Sequence, residues 1–361
     1  MTDRLYLRPT GFVDAPFGYD GQMLRLAGGL TFFAMMELIH VRDGDRVSQT
    51  LVPVQALESA LSSFSSEIQE QARTTISRLT APRTTLKLAA RTIPLDQPQV
   101  MGIVNVTPDS FSDGGMHQDP TAHAMDMLQA GAALIDVGGE STRPGAKPVW
   151  EGDEIERVRP VIELLAASGA AVSIDTRKAG VMEAAFEAGA GLVNDVSALS
   201  WDARALEVVA MRGCPVVLMH HQGAPETMQQ DPRYDDVLIE VHDWLEARIA
   251  IAVAAGIDRA NILVDPGIGF GKTLRHNLTL LNNLSLFHGL GCPIVLGVSR
   301  KRSIGALSGE APVDQRLGGS IALAVLAAAQ GVQLHRVHDA FETVQALRVW
   351  RGLRDEALSP I

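Results

Sequence analysis

The chain has 361 residues, of which 46% are hydrophobic, so a large core is available and global disorder is not expected. Its formal net charge of −11 argues against nucleic acid or an anionic membrane as the main partner, and an anionic substrate would need a local cluster of cations. The two cysteines, Cys214 and Cys292, have the wrong number and spacing for a disulfide framework or a zinc site, which predicts buried free thiols.

The first 95 residues are expected to form an extension without recognisable chemistry. Residues 52–79 carry apolar side chains at helical spacing, which predicts one amphipathic helix. Residues 24–41 fit either a strand or a helix. Pro94 and Pro98 indicate a boundary near residue 95, so we divide the chain into an extension (1–95) and a second domain (96–361).

No segment resembles a targeting signal or a membrane span. Asp3 and Arg4 are not followed by an apolar signal core. The longest apolar stretch, residues 24–39, contains Arg25 and Glu37 and is too short and too charged to cross a bilayer. These patterns predict a soluble, cytoplasmic protein.

From residue 97 onward, one unit recurs: a short β-branched run, a polar loop and a stretch with helical spacing. This alternation predicts parallel strands, because each helix must carry the chain back across the sheet. Eight units over about 260 residues match the size of a (β/α)8 TIM barrel. The predicted strands are 100–105, 133–137, 171–175, 191–195, 215–219, 261–265, 293–298 and 332–337.

Periodicity alone does not separate a closed barrel from an open sheet, but the strand ends favour the barrel. Every predicted strand ends in or beside a polar group. In a barrel, all eight C-terminal ends surround one cavity, where the chemistry of this fold takes place. The groups are Asn105, Asp136, Asp175, Asn194, His220, Asp265, the triplet from Ser299 to Lys301, Arg336 and His338.

Asp175, Asn194 and Asp265 end three different strands and are candidates for binding a neutral heterocycle. Each of them alone could instead cap the following helix. Together in one barrel mouth they suit a ring rich in N–H donors, such as a 2-amino-4-oxopyrimidine, because a carboxylate can accept two adjacent N–H groups. The adjacent His220 and His221 point in opposite directions at a strand end, which disfavours a metal pair there.

The other candidates are cations that could bind phosphate. Lys301 follows the seventh predicted strand, and Arg336 and His338 alternate at the end of the eighth. The loops after these two strands are the recurrent phosphate site of a TIM barrel. Arg143 adds a cation from the second loop. A lone arginine would be read as a solvated surface residue, whereas four cationic candidates on one barrel face indicate a phosphate site.

Two loops could close over such a site. Residues 105–115 and 138–145 are rich in glycine and hydroxyl side chains, which can donate hydrogen bonds to phosphate. A diphosphate would bring Mg²⁺ as a cofactor, and this ion needs only one or two protein oxygens. Asn105 is a plausible single ligand, although an asparagine here could equally cap its own loop.

The strand ends and loops contain eight motifs in chain order: NVTPDSFSDGG, IDVGGESTRPGA, SIDTRK, VNDV, LMHHQG, DPGIGFGK, GVSRK and RVHD. Together they closely resemble the dihydropteroate synthase family over residues 97–350. The resemblance implies a TIM barrel that condenses 6-hydroxymethyl-7,8-dihydropterin diphosphate with p-aminobenzoate to give 7,8-dihydropteroate and pyrophosphate. It also implies a homodimer and competition by sulfonamides at the aminobenzoate site.

The resemblance assigns roles residue by residue. In the pterin pocket, Asp265 would bind the 2-amino and N3–H edge and Lys301 would meet O4 and N5. The other residues implied to bind substrate are Asp175 and Asn194 in the pterin pocket, Met219 and Arg336 on the ring faces, Thr142, Arg143, Arg336 and His338 around the phosphates, and Phe111, Pro144, Phe270 and Ser299 at the aminobenzoate. Asn105 would hold Mg²⁺. The implied catalytic residues are Asp113, which would steady a developing pterin cation, and Lys301, Arg336 and His338.

This reaction needs no strong general base, because an arylamine is neutral and nucleophilic at pH 7. Departure of the diphosphate is the difficult step, which predicts a Mg²⁺-assisted, SN1-like displacement under closed loops. Two alternatives remain: a pterin-dependent methyltransferase and a non-catalytic pterin-binding paralogue. The intact phosphate set speaks against the first, and the retention of every polar strand-end residue speaks against the second.

Overall fold

The computed structural model describes residues 3–18, 20–89, 91–106, 119–141, 149–223 and 227–359. The extension begins with an antiparallel sheet of β1 (Asp3–Val13), β2 (Leu24–Arg25), β3 (Phe32–Arg42) and β4 (Asp45–Pro53). β3 lies in the middle of this sheet and pairs with each of the other three strands. The segment 24–41, for which the sequence left two possibilities, is therefore mainly strand.

The predicted single helix over residues 52–79 is wrong. The chain leaves β4 through a 3₁₀ turn at Val54–Ala56 and then forms α1 (Leu57–Leu61) and α2 (Ser66–Thr80). Ser65 has extended backbone, and its side chain accepts the N–H of Ile68, so it begins a new helix as an N-cap. Both helices bury apolar residues in the same cluster beneath the sheet, which is why the apolar spacing continues across the break.

A short hairpin, β5 (Leu86–Leu88) and β6 (Arg91–Ile93), closes the bottom of the barrel. Leu86, Leu88 and Ile93 share one apolar cluster with residues near the starts of the barrel strands, among them Leu134 and Leu334. The polar mouth lies at the opposite end of the strands. The hairpin thus packs against the barrel although it precedes residue 95.

The barrel prediction is confirmed. The eight parallel strands run in the order β12-β11-β10-β9-β8-β7-β14-β13, and a bridge between Val264 and Ile294 joins the two ends of the sheet. Each predicted run overlaps an observed strand: β7 (Gln99–Asn105), β8 (Leu134–Gly138), β9 (Val172–Asp175), β10 (Leu192–Asp195), β11 (Val216–Met219), β12 (Ile262–Asp265), β13 (Val295–Leu296) and β14 (Leu334–Val337).

Helices cover the outside of the barrel, so β8 to β12 are buried along their whole length. These helices are α3 (Pro120–Ala130), α4 (Glu151–Ala167), α5 (Ala179–Ala188), α6 (Ala205–Arg212), α7 (Val237–Ala254), α8 (Leu274–Asn282), α9 (Arg302–Leu307), α10 (Leu317–Ala329) and α11 (Ala340–Ala357). Cys214 and Cys292 are buried free thiols, as predicted. None of the helices in the described ranges is long and apolar enough to span a bilayer.

Candidate active site

The C-terminal ends of the barrel strands bring the predicted polar residues together. Asn105 ends β7 and pairs in register with Gly138, which pairs in turn with Asp175 at the end of β9. Asn194 on β10 is the register partner of Asp175 on the other side, and Asp265 ends β12. Residues from separate motifs therefore surround one mouth.

The centre of this mouth is an ion triad of Arg336 with Asp136 and Asp175. Nε of Arg336 donates to Oδ2 of Asp136 at 2.6 Å, and Nη2 donates to Oδ2 of Asp175, also at 2.6 Å. Oδ2 of Asp136 accepts a second hydrogen bond, from Nδ2 of Asn194 at 2.9 Å. The fully buried Asp136 thus orients two predicted site residues. In the sequence, Asp136 stands out only as a polar group near a strand end, without an assigned role.

Two oxygens of the triad have no hydrogen-bond partner among the described residues. These are Oδ1 of Asp136 and Oδ1 of Asp175, and both are buried. Burial raises the pKa of Asp175 to about 7; Arg336 opposes this rise and Asp136 adds to it. Leaving a buried acceptor without a donor costs about 1–3 kcal/mol, so both atoms favour a ligand that brings N–H groups.

Asp265, Lys301 and Phe270 form the second part of the mouth. Oδ1 of Asp265 accepts the N–H of Gly267 at 2.7 Å. Nζ of Lys301 donates to the carbonyl of Ile268 and lies 4.6 Å from the centroid of the Phe270 ring. Burial lowers the pKa of Lys301 to about 8, whereas burial raises the pKa of Asp265 and the Lys301 charge partly offsets that rise. The structure therefore brings together residues that the sequence assigned to pterin and aminobenzoate binding.

Ser299 and His338 connect the seventh and eighth strand ends. The hydroxyl of Ser299 accepts the backbone N–H of His338 at 3.1 Å and lies 3.1 Å from Nδ1 of its ring. Between β13 and α9, Arg300 has a left-handed backbone with a φ of 58°, and its Nε donates to Oδ2 of Asp339 at 3.0 Å. The two loops predicted to bind phosphate are therefore tied to each other.

The loop after β12 is held by Lys272, which the sequence analysis also missed. Its Nζ lies 2.8 Å from Nδ1 of His220, 2.9 Å from the carbonyl of Gly267 and 3.1 Å from the carbonyl of Phe270. The carbonyl of His220 lies farther from Nζ, at 3.5 Å, and burial lowers the pKa of Lys272. The side chain is 2% exposed, so water does not compete for these contacts.

Two glycines let this loop approach the loop after β11. Gly267 and Gly271 have φ values of +67° and +64°. A Cβ at Gly267 would lie 1.8 Å from the carbonyl oxygen of His220, and one at Gly271 would lie 2.2 Å from that of Gln222. Side chains at these positions would push the two loops apart, which gives the glycines of DPGIGFGK a structural reason.

Asn105 and Met219, two further predicted site residues, lie at the ends of β7 and β11. A Cβ on Gly138 would be 3.6 Å from Oδ1 of Asn105 and 3.7 Å from Oδ2 of Asp175, so both oxygens lie beside the same glycine. A half-buried amide oxygen close to a carboxylate suits Mg²⁺, which takes oxygen ligands and keeps several waters and phosphate oxygens. The residues present therefore fit the predicted ion. Met219 is buried at the end of β11.

Comparison with known proteins decides between the possible families. The model of the family described as pterin binding enzyme matches residues 101–338. Dihydropteroate synthase of Escherichia coli K12 is 50% identical over 270 residues, which are 73% of this chain and 95% of the relative. The chain belongs to the dihydropteroate synthase family. The predicted transferase class is thereby confirmed.

Solved structures of the family have the same fold. Yersinia pestis dihydropteroate synthase, solved with a sulfonamide drug, has a TM-score of 0.72 and 48% identity, covering 75% of this chain and 100% of its own. The Xanthomonas albilineans enzyme was solved with 4-aminobenzoic acid (TM-score 0.70, 50% identity, 75% and 98% covered) and with 7,8-dihydropteroate (0.68, 46%, 75% and 99%). About a quarter of this chain thus lies outside these matches.

Five of the predicted family residues fall outside the described residues. They are Phe111 and Asp113 in the first loop and Thr142, Arg143 and Pro144 in the second. Their assignments to aminobenzoate, to phosphate and to the developing pterin cation stay predictions.

The motif GGESTRPG of the dihydropteroate synthase family is flanked by a buried ion network that the sequence analysis did not foresee. Nζ of Lys178 contacts Glu140 and lies 2.5 Å from Oε2 of Glu154 and 2.8 Å from the carbonyl of Val149. Nη2 of Arg177 lies 2.7 Å from the other oxygen of Glu140. The network therefore joins Glu140 to Val149 and to the start of α5 through Lys178.

Proposed function

We propose that the protein catalyses the dihydropteroate synthase reaction. In this reaction 6-hydroxymethyl-7,8-dihydropterin diphosphate and p-aminobenzoate give 7,8-dihydropteroate and pyrophosphate. Membership of the family supports the proposal, as do the relatives solved with 4-aminobenzoic acid, with 7,8-dihydropteroate and with a sulfonamide.

The observation that carries the proposal is the excess of buried hydrogen-bond acceptors over donors in the barrel mouth. Among the described residues, no group donates a hydrogen bond to Oδ1 of Asp136 or to Oδ1 of Asp175, and Asp265 adds a third buried carboxylate. A dihydropterin presents several N–H groups on one edge and acceptor atoms on the other. Lys301, which lies beside the Phe270 ring, supplies the donor for those acceptors.

We infer a displacement in which the diphosphate leaves before the amine attacks. The C–O bond to the diphosphate breaks while Arg336 and Lys301 supply positive charge near the bond. The ring donates electron density to the methylene carbon, and p-aminobenzoate then forms the C–N bond and loses one proton to solvent. Asn105 would hold Mg²⁺, which when bound neutralises charge on the leaving diphosphate.

Release of pyrophosphate tests the function directly. Pterin diphosphate is incubated with Mg²⁺ and the protein, with and without p-aminobenzoate, and dihydropteroate is measured in parallel. We expect release that depends on p-aminobenzoate and matches dihydropteroate formation. Pterin binding without turnover would instead identify a non-catalytic pterin-binding paralogue.

The order of bond breaking has its own test. A series of substituted arylamines of increasing nucleophilicity is compared under saturating pterin diphosphate. An almost constant rate supports departure of the diphosphate before attack. A rate that rises steeply with nucleophilicity would contradict the SN1-like displacement.

The same resemblance leads us to propose a homodimer. The described surface of α10 and α11 exposes apolar side chains that a second copy could cover: Leu326, Phe341, Val349 and Leu353. Light scattering combined with size-exclusion chromatography should give twice the 38.6 kDa chain mass. A monomer at micromolar concentration would contradict this proposal without affecting the proposed activity.

A further inference from the structure

The extension forms ion pairs with one face of α7. Arg46, near the start of β4, pairs with Asp236, while Arg4 on β1 pairs with Asp243 at 3.0 Å and with Glu246 at 2.6 Å. The three carboxylates are spaced by seven and three residues, so they form one stripe along the helix. The hydroxyl of Tyr6 reinforces the contact by donating to Asp243 at 2.7 Å. The extension therefore contacts α7 from its first turn to its middle.

Arg46 also belongs to a hydrogen-bond network within the extension. Its Nε and Nη2 donate to the two oxygens of Asp236 at 2.5 and 3.1 Å, and Nη1 donates to Gln49 at 3.2 Å. Gln49 donates in turn to Glu37 at 2.5 Å, and the other oxygen of Glu37 accepts from Arg8, also at 2.5 Å. All three guanidinium nitrogens are engaged, and the network crosses three strands. The extension itself holds Nη1, so part of the side-chain freedom of Arg46 is lost independently of Asp236.

Asp236 fixes the start of α7. Oδ1 of Asp236 accepts the N–H groups of Leu238 at 3.2 Å and Ile239 at 3.4 Å, so this residue is the N-cap. Glu240 completes the cap by accepting the N–H of Asp236 at 2.8 Å. The ion pair from the extension thus acts on the residue that determines where the helix begins.

The segment just before α7 supports the loop after β12, which contains Gly267, Gly269 and Gly271 and is called the glycine loop below. The hydroxyl of Tyr234 donates to the carbonyl of Gly271 at 2.9 Å, and Nε2 of Gln229 donates to the carbonyl of Gly269. A Cβ on Gly269 would lie 3.5 Å from Cδ of Lys301, so this loop packs directly on the lysine. Residues 227–236 are therefore placed between the extension and Lys301.

We propose that the extension positions the substrate pocket, and that Arg46 is its positioning residue. Arg46 fixes Asp236, and Asp236 fixes the end of the segment 227–236 at the start of α7. That segment holds the glycine loop against Lys301. The extension thereby serves the reaction without touching the substrate. This inference rests on the proposed function for the identity of the ligand.

The test combines amide hydrogen exchange with pterin affinity in the full-length protein. R46Q removes the charged pair, R46K keeps the charge, and 6-hydroxymethyl-7,8-dihydropterin is the calorimetric probe. A partly exposed ion pair contributes at most about 1 kcal/mol, so we expect R46Q to speed exchange in residues 227–236 and raise Kd roughly threefold to fivefold. R46K should recover part of both changes.

D14N is the matched control. It removes another ion pair between extension and barrel, the one from Arg354 of α11 to Asp14, away from α7. D14N should leave exchange in 227–236 and the Kd at wild-type values, even if its Tm falls as far as that of R46Q. Unchanged exchange and affinity in R46Q would overturn the proposal, as would equal effects of R46Q and D14N. If the wild type does not bind dihydropterin, the proposed function fails, and the exchange comparison still tests the positioning.

Discussion

Replacing Asp136 with asparagine tests how the ion triad controls pterin binding. In D136N the amide oxygen can still accept from Arg336 and Asn194, as the carboxylate does now. The variant removes one negative charge beside Asp175, whose pKa is raised to about 7 by burial and by that charge. The pKa of Asp175 should therefore fall in D136N.

The size of this fall follows from Coulomb's law. Two carboxylates on one guanidinium lie roughly 5 Å apart, where two unit charges interact by about 3 kcal/mol at an effective dielectric constant of about 20. One pKa unit corresponds to about 1.4 kcal/mol, which sets an upper bound of about 2 units. The charge of Arg336 lies between the two carboxylates and screens them, so we expect a fall of about 1 unit.

The pH dependence of pterin affinity reports this change. A pterin N–H that donates to Oδ1 of Asp175 favours the ionised carboxylate, so affinity should fall tenfold per pH unit below about 7. Above about 8, Lys301 loses its proton and its charge, so affinity should fall again. The wild type should bind best between these values, and D136N should move only the acidic limb, by about 1 unit towards lower pH.

Calorimetry with 6-hydroxymethyl-7,8-dihydropterin measures both limbs. This ligand carries no phosphate, so phosphate titration near about pH 6 does not contribute. K301R is the control, since its guanidinium stays charged and the alkaline limb should disappear while the acidic limb remains. An acidic limb at the same pH in wild type and D136N, or a flat profile in the wild type, would show that Asp175 is not the titrating group.

Three further predictions concern the mouth. D265A should weaken binding of pterin diphosphate by about 2–4 kcal/mol, because a donor pair loses its acceptor; affinity within about twofold of wild type by calorimetry would reject the assignment. K272M should lower kcat/KM at least about tenfold, because three acceptors lose their donor, and a near-normal kcat/KM would contradict that role. G271A should destabilise the protein in urea by about 1–3 kcal/mol more than G44A, because Gly44 has a positive φ with open space around it, whereas a Cβ at Gly271 meets a carbonyl. Equal losses in the two variants would show that the clash is relieved.

The barrel and most of its mouth could be predicted because the relevant signals are local. A β-branched run followed by a polar residue marks a strand end, and parallel topology then places Asn105, Asp175, Asn194 and Asp265 at one edge whatever the details of packing. The helix break at Ser65 was not predictable in this way. Apolar spacing records which side of the chain faces the core, and that side stays the same across the break.

The ion triad could not be predicted because it depends on side-chain geometry across the barrel. Arg336 and Asp136 are 200 residues apart in the chain and meet only when the sheet closes. Sequence alone marks Arg336 as a cation at a phosphate site, and it does not show that two of its nitrogens are committed to carboxylates. The same holds for Lys272, whose three acceptors come from two loops.

The contact made by Arg46 of the extension could not be predicted from the sequence either. Arg46 lies on an exposed strand and belongs to no motif, so its residue type and spacing match those of a solvated surface arginine. Its importance follows from its partner, since Asp236 is at once the N-cap of α7 and the end of the segment that holds the glycine loop. A residue that positions a site through a second residue can be recognised from its ion pair in the structure, but not from the sequence around it. For that reason a chain whose family motifs lie in the barrel can carry a functional contact in the part of its length that lies outside the matches to its solved relatives.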